Sequence, residues 1–141
     1  MFLGEYTHTI DDKGRVTIPA KFRGELAAGL VVSRGFDRNL MVFPKDEWLA
    51  LAAKIAERPQ GDEKVRAFRR RVFSGADDVT PDRQGRIIIP QHLRDFAGLD
   101  GEVVITGNLD YIELWNAETW QNELESIEDN NDARRWEDLG V

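Results

Sequence analysis

Two segments carry the side chains whose types and spacing could do chemistry. Residues 11–23 read DDKGRVTIPAKFR and residues 82–94 read DRQGRIIIPQHLR. In each, an aspartate stands four positions before an arginine, with a glycine directly ahead of the arginine: Asp11, Gly14 and Arg15, then Asp82, Gly85 and Arg86. A guanidinium on an exposed strand can bridge guanine bidentately or clamp a phosphate, and a lysine adds a compact point charge. Lys13, Lys21, Arg23, Arg83 and Arg94 surround the two arginines. With Arg15 and Arg86 they are the candidate contacts to double-stranded DNA. A blander role competes. Asp11 and Asp82 can accept hydrogen bonds from their own turns, or pair with Arg15 and Arg86, and do nothing more. Carboxylates repel phosphate, so both aspartates are read as turn-forming, together with Gly14 and Gly85. Arg23 and Arg94 have competing partners in local acids such as Asp95.

Other chemistries find little support. The chain has no cysteine and two histidines, His8 and His92, which belong to no ligand cluster. The acids Glu123, Glu125, Glu128 and Asp129 lack the Asp/Asn–Gly alternation of a calcium loop. Lys13-Gly14-Arg15 lacks the longer glycine frame of a phosphate-binding loop. Asp11 and Asp82 occupy equivalent positions, which speaks against distinct acid and base roles, and no nucleophile–base set can be assembled. The expectation is a protein with no cofactor, no metal, no small-molecule substrate and no catalytic activity.

These side chains sit on an internal repeat. Asp11, Gly14, Arg15, Ile18, Pro19 and Arg23 fall without a gap on Asp82, Gly85, Arg86, Ile89, Pro90 and Arg94, and after one inserted residue Val31, Val32, Gly35 and Trp48 meet Val103, Val104, Gly107 and Trp120. Each copy predicts the same elements. A strand (Thr7–Ile10; Val79–Thr80) enters a tight hairpin turn, where the glycine supplies a positive φ. Strands Arg15–Ile18 and Arg86–Ile89 follow, with Val16 and Ile18 facing one side and Arg15 and Thr17 the other. Pro19 and Pro90 then open short helices, Ala20–Leu26 and Gln91–Ala97. Strands near Leu30–Arg34 and Glu102–Thr106 lead through turns to strands Asn39–Phe43 and Tyr111–Trp115. A helix closes each copy: Lys45–Ile55, and Ala117–Ile127 with Asn116 as N-cap.

Between the copies, a connector near 56–76 is expected to form a helix over Asp62–Phe73. Val65, Phe68 and Val72 line one face, and the Arg69–Arg71 run is read as its solvated side. Trp48, Trp115 and Trp120 are read as core. The tail Asp129–Val141 shows no periodicity and is expected to fray, with Trp136 as a residue that could dock on a neighbour. The organisation read is a first module at 5–50, a connector at 51–75, a second module at 76–122, and a helix end with acidic tail at 123–141.

The chain has 141 residues with 41% apolar and 32% charged side chains, enough apolar material for a packed core. The net charge of −7 is unevenly spread: residues 1–95 hold 17 basic and 14 acidic side chains, and residues 96–141 hold 2 and 12. An acidic total therefore does not exclude one basic face. No apolar run is long enough to span a bilayer and no secretion signal is visible, so a cytoplasmic protein is expected. A unit of some 45 residues is about the size that cannot fold alone, so two copies are expected to bury each other's apolar faces.

Paired Asp-x-x-x-Arg turns, each followed by a strand, a proline and a short helix, resemble the MraZ family of bacterial transcriptional regulators. The resemblance covers about residues 1–127, including the FSGAD segment at Phe73–Asp77. It implies an α+β, β-rich fold in which two AbrB-like (SpoVT-AbrB) modules interleave as a swapped-hairpin, double-psi-like β-barrel with short flanking helices. It also implies a ring-like homo-oligomer in the cytoplasm and nucleoid. Such a ring binds short direct repeats upstream of a division and cell-wall gene cluster. The family's DNA-contacting arginine maps onto Arg15 and Arg86. Gln84 departs from the pattern where the first copy has Lys13. AbrB-like folds also serve in toxin–antitoxin pairs, so a protein-interaction module of the antitoxin or scaffold kind is the alternative.

Overall fold

β-Branched and aromatic residues cluster in runs too short to form stable strands in isolation, and the fold answers by pairing strands between repeats. The computed structural model describes residues 1–141. In the first repeat, β1 (Glu5–Ile10), β2 (Arg15–Thr17), α1 (Ala20–Leu26), β3 (Leu30–Arg34), β4 (Leu40–Pro44) and α2 (Lys45–Ala56) follow in order. The connector holds α3 (Glu63–Phe68) and a π-helical turn, Arg69–Phe73. The second repeat gives β5 (Asp77–Val79), β6 (Arg86–Ile88), α4 (Gln91–Ala97), β7 (Gly101–Gly107), β8 (Ile112–Asn116) and α5 (Ala117–Asp129). The fold is α+β and β-rich.

The six longer or edge strands form one antiparallel sheet in the order β1-β7-β8-β4-β3-β5, and β2 pairs with β6 in a separate two-stranded ribbon. Exchanging every strand for its repeat equivalent turns that order into its own reverse. The chain therefore has an internal twofold. Its axis passes where equivalent residues meet: Met41 opposite Glu113 in the sheet and Val16 opposite Ile87 in the ribbon. Each repeat's first strand has crossed over, β1 onto β7 and β5 onto β3.

This corrects the expected hairpins. β1 and β2 are joined by a turn but form no ladder, because β1 spends its backbone groups on β7. The closed barrel is likewise not seen. β1 and β5 remain open edges of the sheet, and the ribbon lies apart from it in the hydrogen-bond pattern. The apolar side chains unite what the backbone leaves separate. One cluster of 19 buried residues takes in Val16, Ile18, Ile87 and Ile89 of the ribbon region with Val32, Val42, Val103 and Leu114 of the sheet and Phe22 and Leu93 of α1 and α4. Full burial of such a side chain stabilises by about 1.5–3 kcal/mol.

Pro19 and Pro90 stand at φ −51° and −56° immediately before α1 and α4, where a missing N–H costs nothing. The Asn116 side chain accepts from the backbone N–H groups of Glu118 and Thr119, as expected of an N-cap. The connector departs from a single helix. A Ser74 N–H to Arg69 carbonyl bond widens its last turn, which buries Val72 and sets Phe73 against Trp48 and Phe68 at ring-centroid distances of 5.1 and 5.8 Å. Trp115 is buried, while Trp48 and Trp120 are half-buried. The tail is not featureless: Asp132 caps a 3-10 helix over Ala133–Leu139, and Trp136 donates to Asn131 within that same tail.

Because each repeat completes the other's sheet, unfolding is expected to be one cooperative transition. Ile87→Ala, on the axis and fully buried, should cost about 2–5 kcal/mol in denaturant titration followed by tryptophan fluorescence and circular dichroism. Two separated transitions would contradict the interleaved pairing.

Candidate nucleic-acid interface

The two Asp-x-x-x-Arg turns have the same internal wiring. Asp11 Oδ1 accepts from the backbone N–H of Lys13 at 3.0 Å and of Arg15 at 2.9 Å, and Oδ2 accepts from Arg15 Nε at 2.6 Å. Asp82 accepts from Gln84 N and Arg86 N, both at 2.9 Å, and from Arg86 Nε at 2.8 Å. Gly14 and Gly85 lie at φ +83° and +76°, a conformation that other residues adopt only under strain. Each aspartate thus binds the backbone of its own turn and pairs with its arginine at once.

The ribbon brings the two turns together. Ile18 N–H donates to the Gly85 carbonyl and Ile89 N–H to the Gly14 carbonyl, both at 2.8 Å. Each turn is then braced from the other repeat. Arg94 donates from Nε to its own Ile89 carbonyl at 2.9 Å and lies across Gly14, where an added Cβ would come within 2.8 Å of the guanidinium. Arg23 does the same through Ile18 at 2.9 Å and lies across Gly85. Arg23 and Arg94 therefore pair with backbone carbonyls, not with local acids. Asp95 accepts from Gln91 instead.

Register puts Arg15 opposite Ile88 and Thr17 opposite Arg86. Their neighbours Val16 and Ile87 are buried, so all four of these side chains share the outer face of the ribbon. Arg15 and Arg86 are diagonal neighbours on that face, about 7–8 Å apart by sheet geometry. Both side chains are 30% exposed. Each commits Nε to its aspartate and keeps both Nη groups without a protein partner. Lys13 and Arg83 are exposed in the turns, and Lys21 is exposed on α1. His92, at the position equivalent to Lys21, is exposed with Nε2 at 3.0 Å from the Gly75 carbonyl.

Two features escaped the residue-by-residue reading. Ile88 is 57% exposed beside Arg15, a position that strand alternation from Arg86 would have marked as outward. A second basic cluster gathers Arg34, Arg38 and Arg71 around Phe96. Its members are scattered in sequence, and only the fold assembles them. In the Arg69–Arg71 run itself, Arg71 binds the Gly35 carbonyl and Arg69 is partly buried, so the run is not merely a solvated face.

Comparison with known proteins fits this geometry. A family model described as "MraZ protein, putative antitoxin-like" matches residues 1–71 and again residues 72–139. The chain belongs to the MraZ family. A transcriptional regulator MraZ from Roseiflexus castenholzii is 52% identical over 130 residues, covering 92% of this chain and 91% of that protein. The transcriptional regulator MraZ of Saccharopolyspora erythraea is 48% identical over 139 residues, 99% of this chain and 97% of the relative. That of Halothermothrix orenii is 46% identical over 143 residues and spans both chains fully. The double match of the MraZ model coincides with the internal twofold, each half contributing one turn and one ribbon strand.

In this MraZ-family turn the backbone N–H of Arg15 is the main cause holding the Asp11 carboxyl below its ordinary value of 3.8. Burial opposes it, and the Arg15 side chain and Lys13 N–H assist. Asp82 is lowered in the same way, with Arg86 and Gln84 as donors. A depressed folded-state pKa contributes stability that is present above the unfolded value and lost as pH falls through the folded one. Both ion pairs are therefore intact at neutral pH, and the turns loosen only in acid below 3.8. Carboxyl carbon NMR should place both midpoints below that value. Arg15→Ala should move Asp11 only part of the way back, because the backbone donor remains. A full return to 3.8 would show that the side chain, not the turn, sets the shift.

Proposed function

We propose that the chain is a sequence-specific DNA-binding transcriptional regulator whose β2/β6 ribbon enters the major groove. The observation that carries this reading is the outer face of the ribbon, with Arg15 and Arg86 side by side on twofold-related strands and their Nη groups unspent. A two-stranded ribbon has the width of the major groove. The two Nη groups of each arginine form an end-on fork suited to guanine O6 and N7 or to a phosphate, while Nε stays on the aspartate and fixes the fork's direction. Ile88 supplies an apolar contact of the kind a thymine methyl accepts, and Thr17 a hydroxyl. Lys13, Arg83 and Lys21 supply phosphate contacts around that centre, and Arg23 and Arg94 hold the turns.

The assembly we infer is a ring of copies on short direct repeats upstream of a division and cell-wall gene cluster, in the cytoplasm and nucleoid. The strand exchange supports reading residues 5–50 and 76–122 as two SpoVT-AbrB modules of a swapped-hairpin, double-psi-like barrel, with the ribbon lying over the sheet's core. Several ribbons acting together raise the effective concentration of each. A protein-partner role of the antitoxin kind has one specific support, the exposed acids of α5 and the tail. Recovery of a stoichiometric small protein that this chain inactivates would favour it.

Arg15→Ala should leave the circular dichroism unchanged and remove most specific binding to the DNA upstream of its own gene. Each lost base contact costs about 1–3 kcal/mol, repeated over the linked sites. Arg86→Ala should act in the same direction. In a gel-shift salt series, log affinity should fall with log salt at a slope of about −0.9 per phosphate neutralised. Near-normal operator binding by a folded Arg15→Ala protein would refute the proposal.

A further inference from the structure

Each repeat carries a turn between its two long strands, Gly35–Asn39 between β3 and β4 and Asn108–Tyr111 between β7 and β8. The internal twofold sends these turns to opposite ends of the sheet, since β4 and β8 run antiparallel through Met41 and Glu113. Three arginines gather at the first turn and carboxylates at the second. At the first turn, the guanidinium carbons of Arg34, Arg38 and Arg71 stand 5.6, 4.8 and 5.3 Å from the centroid of the Phe96 ring. Arg34 donates to the Arg71 carbonyl at 3.2 Å and Arg71 to the Gly35 carbonyl at 2.9 Å, but none of the three pairs with a carboxylate. Asp37, in the same turn, lines a separate cleft with Glu5, Glu113 and Glu123, so the basic character belongs to the Phe96 cluster and not to the whole of that end. Phe36 is 64% exposed two residues before Arg38.

At the second turn the same backbone positions are acidic. By the repeat, Arg38 corresponds to Asp110 and Phe96 to Glu25. Asp110 lines a shallow cleft of about 390 Å³ with Glu25, Asp46 and Glu47. Glu25 binds the Met1 amino group at 2.7 Å, and the other three have no cationic partner. Leu109, held at φ +72°, is 55% exposed at the same cleft. Each patch thus sets an exposed apolar residue beside charge that has no ion-pair partner, arginines in one and carboxylates in the other.

We propose that the arginine cluster around Phe96 of one copy docks on the acidic cleft around Leu109 of a second copy. The proposal rests on the homo-oligomeric reading above and names the surfaces that build it. Three guanidiniums crowded on one ring repel one another, and an external anionic surface relieves that repulsion. The two surfaces differ, so the contact is head to tail, and each copy can engage two neighbours. Complementary charge fixes the polarity of the contact, because cluster against cluster and cleft against cleft both repel.

The test is sedimentation velocity on the full chain at low salt, without DNA. Arg38 and Asp110 make no side-chain hydrogen bond within the chain, so R38D and D110R should fold as the parent does, which circular dichroism checks. The parent should sediment as an assembly, and each variant's self-association should weaken at least about tenfold. Mixing the two variants should restore at least a one-to-one dimer, because D110R keeps an intact arginine cluster and R38D an intact acidic cleft. A parent that sediments as a single chain, variants that assemble as the parent does, or a mixture no larger than its components would each overturn the proposal. An R38D protein of parental mass but weakened DNA binding would assign the cluster to nucleic acid and overturn it as well. None of these masses bears on Arg15, so this interface and the DNA-binding ribbon can fail independently.

Discussion

Val16 and Ile87 face each other at the point where the chain meets its own repeat, both sealed from solvent. That contact is what the rest of the molecule depends on. Strands β2 and β6 are short, and neither has another partner in the hydrogen-bond pattern. Only the pairing of equivalents gives each a ladder, and only burial of Val16, Ile18, Ile87 and Ile89 beneath it makes the ladder worth forming. Once the ribbon forms, the period of two along a strand leaves Arg15, Thr17, Arg86 and Ile88 no choice but the outer face. A one-residue slip of either strand would bury its arginine and expose its axis residue.

The polar groups follow from the same constraint. A turn that must return the chain within a few residues, with its strands committed elsewhere, needs its backbone N–H groups satisfied locally. Asp11 and Asp82 do this with one oxygen and orient an arginine with the other. Arg23 and Arg94 then cross the axis to cover the glycines of the opposite turn. The result is a pair of guanidiniums held on a rigid two-stranded element, with few rotamers left to freeze when a partner arrives. The surface is basic although the chain as a whole is acidic, because most of the carboxylates lie in the second half and its tail.

Much of this is legible in the residues, for local reasons. The glycines that need positive φ, the prolines that end a strand and begin a helix, and the aspartates four positions before an arginine all act within a few residues of themselves. The repeat itself argued that two halves share one core. Partner choice was less accessible. Nothing local tells β1 to pair with β7 instead of β2, since Glu5–Ile10 would fit either neighbour by its alternation. The same non-locality hid the Phe96 cluster, whose three arginines come from β3, the first turn and the connector. The spacing of Val65, Phe68 and Val72 predicts a single helix in the connector. Its π-helical turn answers to Trp48 and Phe68, which a periodicity reading of the segment alone does not weigh.

The central claim is that the two turns act as one surface because the ribbon joins them. Hydrogen–deuterium exchange of the full chain, with and without the duplex upstream of its own gene, tests it most directly. The account predicts that backbone amides of residues 11–17 and 82–88 gain protection together, at the same DNA concentration, while α5 does not change. Protection confined to one of the two turns, or appearing first on α5, would contradict it.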